Sequence, residues 1–192
     1  MMADYQIGGK MKNLKNIRTL ILLSFFIALS IVVSRFFSIT TVSRKVGLGF
    51  IVTSAMCSIF NPSLAVFASI IIDVISNLIF PTAGGFYLPF VTTKIASAII
   101  YTFFFYRKEI TRKNIVFATI LNSLITSLFL NTLWTSQLTG NPFMAQFAMR
   151  VPTMAINFVF HTIVLLIILP KLAKILRIEI KKLGAQPENA PY

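Results

Sequence analysis

The stretch Leu130–Asn157, LNTLWTSQLTGNPFMAQFAMRVPTMAIN, connects two very apolar segments through a polar turn. Asn131 and Trp134, the only tryptophan, precede the turn, and Arg150 opens the return segment. Polar side chains are costly at membrane depth unless they face protein, water or a ligand, because lipid offers no hydrogen-bond partner. We therefore expect this end of the two segments to form one wall of a ligand pocket.

The composition of the whole chain is that of an integral membrane protein. Of the 192 residues, 56% are hydrophobic and only 12% are charged, and the mean hydropathy is +0.82. A soluble domain carries about 25% charged residues. The single cysteine, Cys57, lies in an apolar run and excludes an internal disulfide.

Six hydrophobic segments predict six transmembrane helices, since roughly 20 residues at 1.5 Å each cross the hydrocarbon of a bilayer. The predicted spans are Ile17–Ser34, Val46–Phe60, Ser63–Phe80, Phe86–Tyr106, Asn114–Leu138 and Met149–Leu169. Phe36–Lys45 is interpreted as a Ser- and Thr-rich connection. Pro81–Gly85 breaks the chain between apolar flanks, which indicates a re-entrant-like loop after the third helix. The expected fold class is an all-α integral membrane protein.

The ends of the chain differ in composition from this membrane domain, which is expected to cover residues 17–182. Residues 1–16 form a basic segment, and residues 183–192, with Gly, Pro and polar side chains, are predicted to be a disordered tail. Pro170–Lys182 is expected to continue the sixth span as a basic amphipathic helix at the membrane interface.

The net charge of +13 follows the membrane topology. Thirteen of the 18 Lys and Arg residues lie on one side of the predicted spans, at Lys10, Lys12, Lys15, Arg18, Arg107, Lys108, Arg112, Lys113, Lys171, Lys174, Arg177, Lys181 and Lys182. Cytoplasmic segments collect these residues, so both termini are expected in the cytoplasm. The charge then gives no support to nucleic-acid binding.

The remaining cations, Arg35, Arg44, Lys45, Lys94 and Arg150, lie at or near the outer end, where no acid is available to pair with the outermost ones. An anionic ligand is their simplest partner, and a guanidinium grips a carboxylate through two parallel hydrogen bonds. For Arg150 the alternative is snorkelling to outer headgroups.

Two ionisable groups inside the spans leave several interpretations open. Asp73, the only acid well inside a span, is a natural ion-pair partner for Lys94, because an unpaired cation at that depth is costly. Proton or sodium coupling through Asp73 is a sharper alternative. His161 is expected to be a packed, hydrogen-bonded imidazole and not a metal ligand, since no second His, Cys or acid stands at metal-binding spacing.

Trp134 and Asn131 lie one helical turn apart and suit a planar heterocyclic ligand. The indole would stack on the ring, and the carboxamide would form hydrogen bonds to the donors and acceptors at the ring edge. The alternative for Trp134 is an ordinary aromatic at the membrane interface. Catalytic motifs are missing from the sequence: no phosphate-cradling glycine loop, nucleophile elbow, H-E-x-x-H or carboxylate pair is present. We therefore expect no enzymatic activity, no metal and no cofactor.

The order of four motifs resembles the folate-type S components of energy-coupling factor (ECF) vitamin transporters. They are Arg44-Lys45-Val46-Gly47-Leu48-Gly49-Phe50, Asp73 followed by Phe80-Pro81-Thr82-Ala83-Gly84-Gly85-Phe86, Asn131-Thr132-Leu133-Trp134, and Arg150 at the start of the last span. The likeness extends over about Ile17–Leu176. The sequence departs from the family pattern at Asn61-Pro62, where a Gly-Pro turn is usual, and at Ser24, which replaces the first alanine of an Ala-x-x-x-Ala pair.

This resemblance implies a high-affinity folate-binding subunit of the bacterial cell membrane, with an outward-facing pocket. It implies as partners a transmembrane coupling subunit and two ATP-binding subunits, with Ser24 and Ala28 at the partner interface. The S component would reorient in the membrane to deliver the vitamin inward.

Folate agrees with the residues of the outer end. Phe86, Tyr87, Trp134 and Asn131 suit the pterin, and its two carboxylates suit the cations Arg35, Arg44, Arg150 and Lys94. The alternatives are another anionic vitamin such as pantothenate or a flavin, a stand-alone transporter coupled to protons through Asp73, and a membrane scaffold whose arginines contact lipid.

Overall fold

The computed structural model of the chain describes residues 17–36, 38–41, 44–79 and 87–182. Its elements are helices apart from one short hairpin. In chain order they are α1 Ile17–Phe36, β1 Ser38–Thr41, β2 Arg44–Gly47, α2 Gly49–Ile59, α3 Pro62–Ile79, α4 Phe90–Phe105, α5 Arg112–Asn122, a π-helical segment Ser123–Leu130, α6 Asn131–Thr139 and α7 Phe143–Lys182.

Among the described residues, four helical stretches are long and apolar enough to cross a membrane. They are Ile17–Ser34, Pro62–Ile79, Arg112–Thr139 and Phe143–Leu176. The helices α2 and α4 are apolar but shorter, at 11 and 16 residues. Each of the six predicted segments therefore contains a helix, and the count of six spans stays a prediction. The predicted re-entrant-like loop lies in residues 80–86, outside the described part of the chain.

Within the described residues, a short β-hairpin is the only element that is not helical, and the predicted all-α fold class is otherwise confirmed. Strands β1 and β2 pair antiparallel with Ser38 opposite Gly47 and Thr41 opposite Arg44. β-Branched residues occur in both strands, which favours extended backbone over helix. The segment Phe36–Lys45, predicted as an irregular connection, thus includes most of this hairpin, and the second helix starts at Gly49 instead of Val46.

The last helix corrects a second set of boundaries. It starts at Phe143, six residues before the predicted Met149, and runs for 40 residues through Pro152 and Pro170. Proline is tolerated inside membrane helices because neighbouring groups compensate for the lost backbone hydrogen bond. The helix therefore continues through Pro170 to Lys182, as expected from the sequence, and the interfacial position of this last segment stays a prediction.

Small residues form the contacts between the central helices. Ala55 of α2, Ala65 and Ala68 of α3, Ala98 of α4 and Ala118 of α5 are all fully buried. Without large side chains the backbones approach closely, which is how helices pack in lipid. Large apolar side chains instead cover the outside of the bundle, as at Phe25, Phe103 and Phe129.

Candidate ligand-binding site

A cavity of about 470 Å³ lies between the helices, within the size range of small-molecule sites. Every helix contributes to its wall, α6 through Asn131 and α7 through Met154, Asn157 and His161. Most of the lining side chains are hydroxyls, carboxamides or ionisable groups. Polar side chains are costly inside an apolar bundle, and the packing of the helices does not require them. A wall with so many of them therefore points to a polar ligand.

One polar stripe of the wall runs along α3. Ser69, Asp73, Ser76 and Asn77 recur at intervals of three and four residues, so they share one helix face. The Asn77 side chain donates to the backbone oxygen of Asp73 at 2.9 Å. Asp73 is only 7% exposed, and its carboxylate lies in the cavity wall.

A second polar group of the wall centres on Asn122, at the end of α5. Ser97 donates to the Asn122 Oδ1 at 2.7 Å, and the Asn122 Nδ2 donates to the Tyr101 hydroxyl at 3.2 Å. Thr126 donates to the Asn122 backbone oxygen at 2.6 Å. These bonds join α4 to the π-helical segment and fix this part of the wall, since each buried polar group has a partner.

The wall of α7 carries His161, whose ring stacks on Phe50 with the ring centroids 3.9 Å apart and the planes inclined by 22°. The imidazole is therefore packed, as predicted from the sequence, but the predicted hydrogen bonding is not met at its Nε2, which has no partner among the described residues. It also lines the cavity, which the sequence did not indicate.

Four buried polar atoms of the wall have no hydrogen-bond partner within the described part of the chain. They are the Ser69 Oγ, the Asp73 Oδ2, the Thr93 Oγ1 and the His161 Nε2. A buried polar atom left without a partner costs about 1 to 3 kcal/mol. Together they make this cavity suitable for a ligand or water that supplies both donors and acceptors.

Two of the sequence-predicted site residues line this cavity. Asn131 starts α6 and Lys94 lies in the second turn of α4. The ion pair of Lys94 with Asp73, one of the interpretations from the sequence, is not formed: both groups line the cavity, yet no ion pair within 4.0 Å joins them. Asp73 and Lys94 thus present one charge of each sign to the same space.

Trp134 and Tyr87 lie beyond Asn131 and outside the lining of the cavity, where they connect α4 to α6. The Trp134 Nε1 donates to the Thr92 Oγ1 at 3.1 Å, and the Tyr87 hydroxyl donates to the Gln137 Oε1 at 3.2 Å. The two aromatic residues therefore hold the end of the bundle next to Asn131 and Lys94.

Arg150 connects α7 to α6 at the same end. Its side chain is 6% exposed and donates to the Thr135 hydroxyl. Burial excludes snorkelling to headgroups for this residue, which was one alternative from the sequence. Arg150 does not line the cavity, so a direct contact with a ligand stays a prediction.

The side chains of three predicted site residues are not among those that the structure describes. Phe86 is not among the described residues, and Arg35 and Arg44 are described by their backbone alone, at the end of α1 and the start of β2. Ser34, directly before Arg35, and Gly47, three residues after Arg44, line the cavity. Ser24 and Ala28, predicted at a partner interface, are exposed on α1.

Sequence reasoning missed most of the polar wall. A signal was available, because the hydroxyl and amide residues recur every three or four positions. The repeats are Ser30 and Ser34, Ser69, Asp73, Ser76 and Asn77, Thr93 and Ser97, and Asn122 and Thr126. Such a spacing places each set on one helix face, and these faces meet at the cavity.

Known proteins resemble this chain over most of its length. Residues 14–174 match the family described as "ECF-type riboflavin transporter, S component". The folate transporter FolT of Clostridium novyi (strain NT) is 34% identical over 152 residues, which is 79% of this chain and 88% of that protein. A crystal structure of FolT bound with folic acid superposes with a TM-score of 0.68 and 30% identity, over 77% of this chain and 88% of the other. By family match and by identity alike, this chain belongs to the S components of ECF transporters.

Proposed function

We propose that this chain is the high-affinity folate-binding S component of an ATP-driven ECF vitamin importer. It takes up folate from the outer side of a bacterial cell membrane in which both of its termini are cytoplasmic. A transmembrane coupling subunit and two ATP-binding subunits are its partners, and ATP hydrolysis takes place in them. The vitamin is released inward when the S component reorients within that complex.

The observation that carries this proposal is the cavity with its polar wall. Its volume of about 470 Å³ suits a drug-sized ligand, and its wall offers hydroxyl, carboxamide, carboxylate and ammonium groups. Folate needs each kind: its pterin has N–H donors and a carbonyl acceptor, and its glutamate has two carboxylates. The names of the relatives, a folate transporter and a FolT bound with folic acid, support the same ligand.

The proposed roles rest on the described side chains and, for Arg35, Arg44 and Phe86, on the sequence alone. Lys94 on the wall attracts a carboxylate of the ligand, with Arg35, Arg44 and Arg150 as further cations near the same end. Asn131, on the cavity wall, forms hydrogen bonds to a polar edge of the ligand. Trp134 and Tyr87 flank the pterin from the end of the bundle, where an aromatic ring gains about 1 to 3 kcal/mol by stacking, and the sequence resemblance adds Phe86 to them.

A flavin is the second candidate ligand, and the description of the matching family as riboflavin transporters favours it. Its planar ring system would also stack and form hydrogen bonds to the wall. Riboflavin has no carboxylate, however, so Lys94 would have no anionic partner in it. Pantothenate, with one carboxylate, would meet the cations but has no ring to stack on Trp134.

A stand-alone transporter coupled to protons is the remaining alternative, because Asp73 lines the cavity with one unpartnered carboxylate oxygen. It predicts that this chain alone takes up folate into vesicles under a proton gradient. An S component binds folate alone but accumulates it only with its partners.

The proposal is tested by titrating the purified chain in detergent with folate, riboflavin, pantothenate and thiamin. Calorimetry measures binding, and fluorescence of Trp134 reports on the end of the bundle. We expect saturable one-to-one binding of folate that the other vitamins do not displace. Tighter binding of riboflavin than of folate would show that riboflavin, and not folate, is the ligand. Binding of no vitamin at all would contradict the proposal.

Two asparagine variants locate the ligand. Asn131→Ala removes a carboxamide from the cavity wall and should weaken folate binding about 3- to 10-fold, the effect of one neutral hydrogen bond. Asn141→Ala is the matched control, since Asn141 is exposed in the turn after α6 and does not line the cavity. Equal affinities of both variants and the wild type would place folate elsewhere.

A further inference from the structure

Asp73 is an unusual residue of the cavity wall, because a buried carboxylate needs donors that the described part of the chain does not give it. Its Oδ2 is buried without a hydrogen-bond partner, and its side chain is 7% exposed. The other polar residues of its stripe, Ser69, Ser76 and Asn77, lie on the same face of α3. Leaving a charged group in this state is costly, so a ligand that donates to it gains affinity.

The ammonium of Lys94 lines the same cavity without forming an ion pair with Asp73 within 4.0 Å. The two opposite charges therefore remain available to two different parts of a ligand. A ligand with N–H donors at one end and a carboxylate at the other satisfies both. This arrangement also explains why the cavity holds an acid although the proposed ligand is an anion.

We propose that Asp73 determines specificity for the pterin, by accepting hydrogen bonds from its N3–H and its 2-amino group. The inference rests on the proposed function and deepens it. Two adjacent N–H donors match the two oxygens of a carboxylate, in the same way that a guanidinium does, and such charge-assisted pairs are about twice as strong as neutral ones.

The same geometry rejects the ring of a flavin. Its corresponding edge is an imide, in which one N–H lies between two carbonyl oxygens. A carboxylate that accepts from this N–H brings its second oxygen against a carbonyl oxygen, which is repulsive. Specificity of this kind depends on the mismatch with the wrong ligand as much as on the match with the right one. Asp73 thus separates folate from riboflavin, the two vitamins that the relatives of this chain name.

The first part of the test changes the ligand and leaves the protein as it is. Calorimetry on the wild-type chain compares folate with its 2-deamino-2-oxo analogue, in which a carbonyl replaces the 2-amino group. It also compares pterin with lumazine, which are the ring systems of folate and of this analogue. We expect folate to bind about 10- to 100-fold more tightly than the analogue, and pterin more tightly than lumazine, because a donor becomes an acceptor facing the carboxylate. Equal affinities within each pair would overturn the inference.

The second part exchanges the carboxylate for a carboxamide. In Asp73→Asn one oxygen still accepts from N3–H, and the new NH₂ donates to the carbonyl of the analogue. The preference for folate over the analogue should therefore be lost or reversed, an effect that a merely structural role would not produce. Glu109→Gln is the matched control, since it removes one exposed acid in the loop before α5 and should leave both affinities unchanged.

Failure of the inference and failure of the proposed function give different results. If folate binds tightly but Asp73→Asn weakens folate and its analogue equally, the inference is wrong and the folate proposal stands. If Asp73→Asn binds both ligands like the wild type and only loses uptake, Asp73 serves coupling and the inference is again wrong. If folate does not bind but pterin is preferred over lumazine and Asp73→Asn abolishes that preference, the inference stands while the folate proposal falls.

Discussion

Two buried threonines allow a sharp test of the site at the level of single residues. Thr119 and Thr126 both donate to the backbone oxygen four residues earlier, at 2.7 and 2.6 Å. Only Thr126 lines the cavity. Both changes to valine remove the same type of bond to the helix backbone. Thr126 also donates to the Asn122 Oδ1 at 3.3 Å, so Thr126→Val in addition alters a polar group of the cavity wall.

We expect Thr126→Val to weaken folate binding about 3- to 10-fold, since the wall loses one hydroxyl that can bond to the ligand. Thr119→Val should bind folate like the wild type. Calorimetry measures both affinities, and thermal unfolding in detergent checks that the two variants are equally stable. A loss of affinity in Thr119→Val as large as that in Thr126→Val would mean that the helix, and not the wall, responds to the change.

The sequence revealed the site in part, and the reason lies in the residue types. Asn131 and Lys94 were identified because a carboxamide and a cation are conspicuous in apolar surroundings, and both line the cavity. Ser69 and Ser30 were not, since single serines are common in membrane helices. Asp73 was considered as an ion-pair partner or a relay, because the sequence shows that it is buried but not what faces it.

At the level of secondary structure, the junction between the hairpin and α1 depends on two glycines. A Cβ added at Gly47 would lie 2.6 Å from the backbone oxygen of Ser34, and one added at Gly49 would lie 2.7 Å from the Ser34 Cβ. Ser34, Gly47 and Gly49 all line the cavity. The close approach therefore fixes β2 and the start of α2 against the wall.

Both Gly47→Ala and Gly49→Ala should destabilise the chain by about 1 to 3 kcal/mol, as overpacking does. Adding Ser34→Gly to each variant distinguishes the two clashes. It removes the Cβ that Gly49→Ala would meet, so the stability of Gly49→Ala should be restored. It leaves the backbone oxygen that Gly47→Ala would meet, so Gly47→Ala should stay destabilised. Thermal unfolding of the single and double variants measures this coupling. Rescue of both alanine variants would show that the hairpin moves freely against α1.

The elements of the fold were predictable to the extent that hydrophobicity determines them. Each predicted span contains a helix, because a long apolar run leaves no other way to satisfy the backbone in lipid. Boundaries were less accurate, since turns depend on local contacts. The close approach of Gly47 to Ser34 accompanies the hairpin, and nothing in the pattern before Met149 shows that α7 already starts at Phe143.

At the level of the whole molecule, the proposed function requires partners for transport but not for binding. Reconstituted alone in vesicles with an inward proton gradient, the chain should accumulate no folate. Together with a coupling subunit and two ATP-binding subunits, it should accumulate folate when ATP is supplied on the side of the ATPases. Proton-driven uptake by the chain alone, abolished by Asp73→Asn, would support the stand-alone transporter instead.

The surface on which the partner is proposed to bind lies away from the cavity. Ser24 and Ala28 are exposed on α1, four residues apart and therefore on one face. Small side chains there let another helix approach closely. Replacing both with leucine should leave folate affinity unchanged but abolish ATP-dependent uptake and co-purification with the coupling subunit, because the bulky side chains keep the helices apart.

Ala155→Leu serves as the matched control for this last prediction. Ala155 is also exposed, but on α7, so its change adds one bulky apolar side chain to a different surface. Uptake should survive it. If the leucine variants of Ser24 and Ala28 still assemble and transport like the control, the coupling subunit binds another face of the bundle. If they lose folate binding as well, α1 shapes the cavity through Ser30 and Ser34, two and six residues beyond Ala28, and the effect on uptake would not identify an interface.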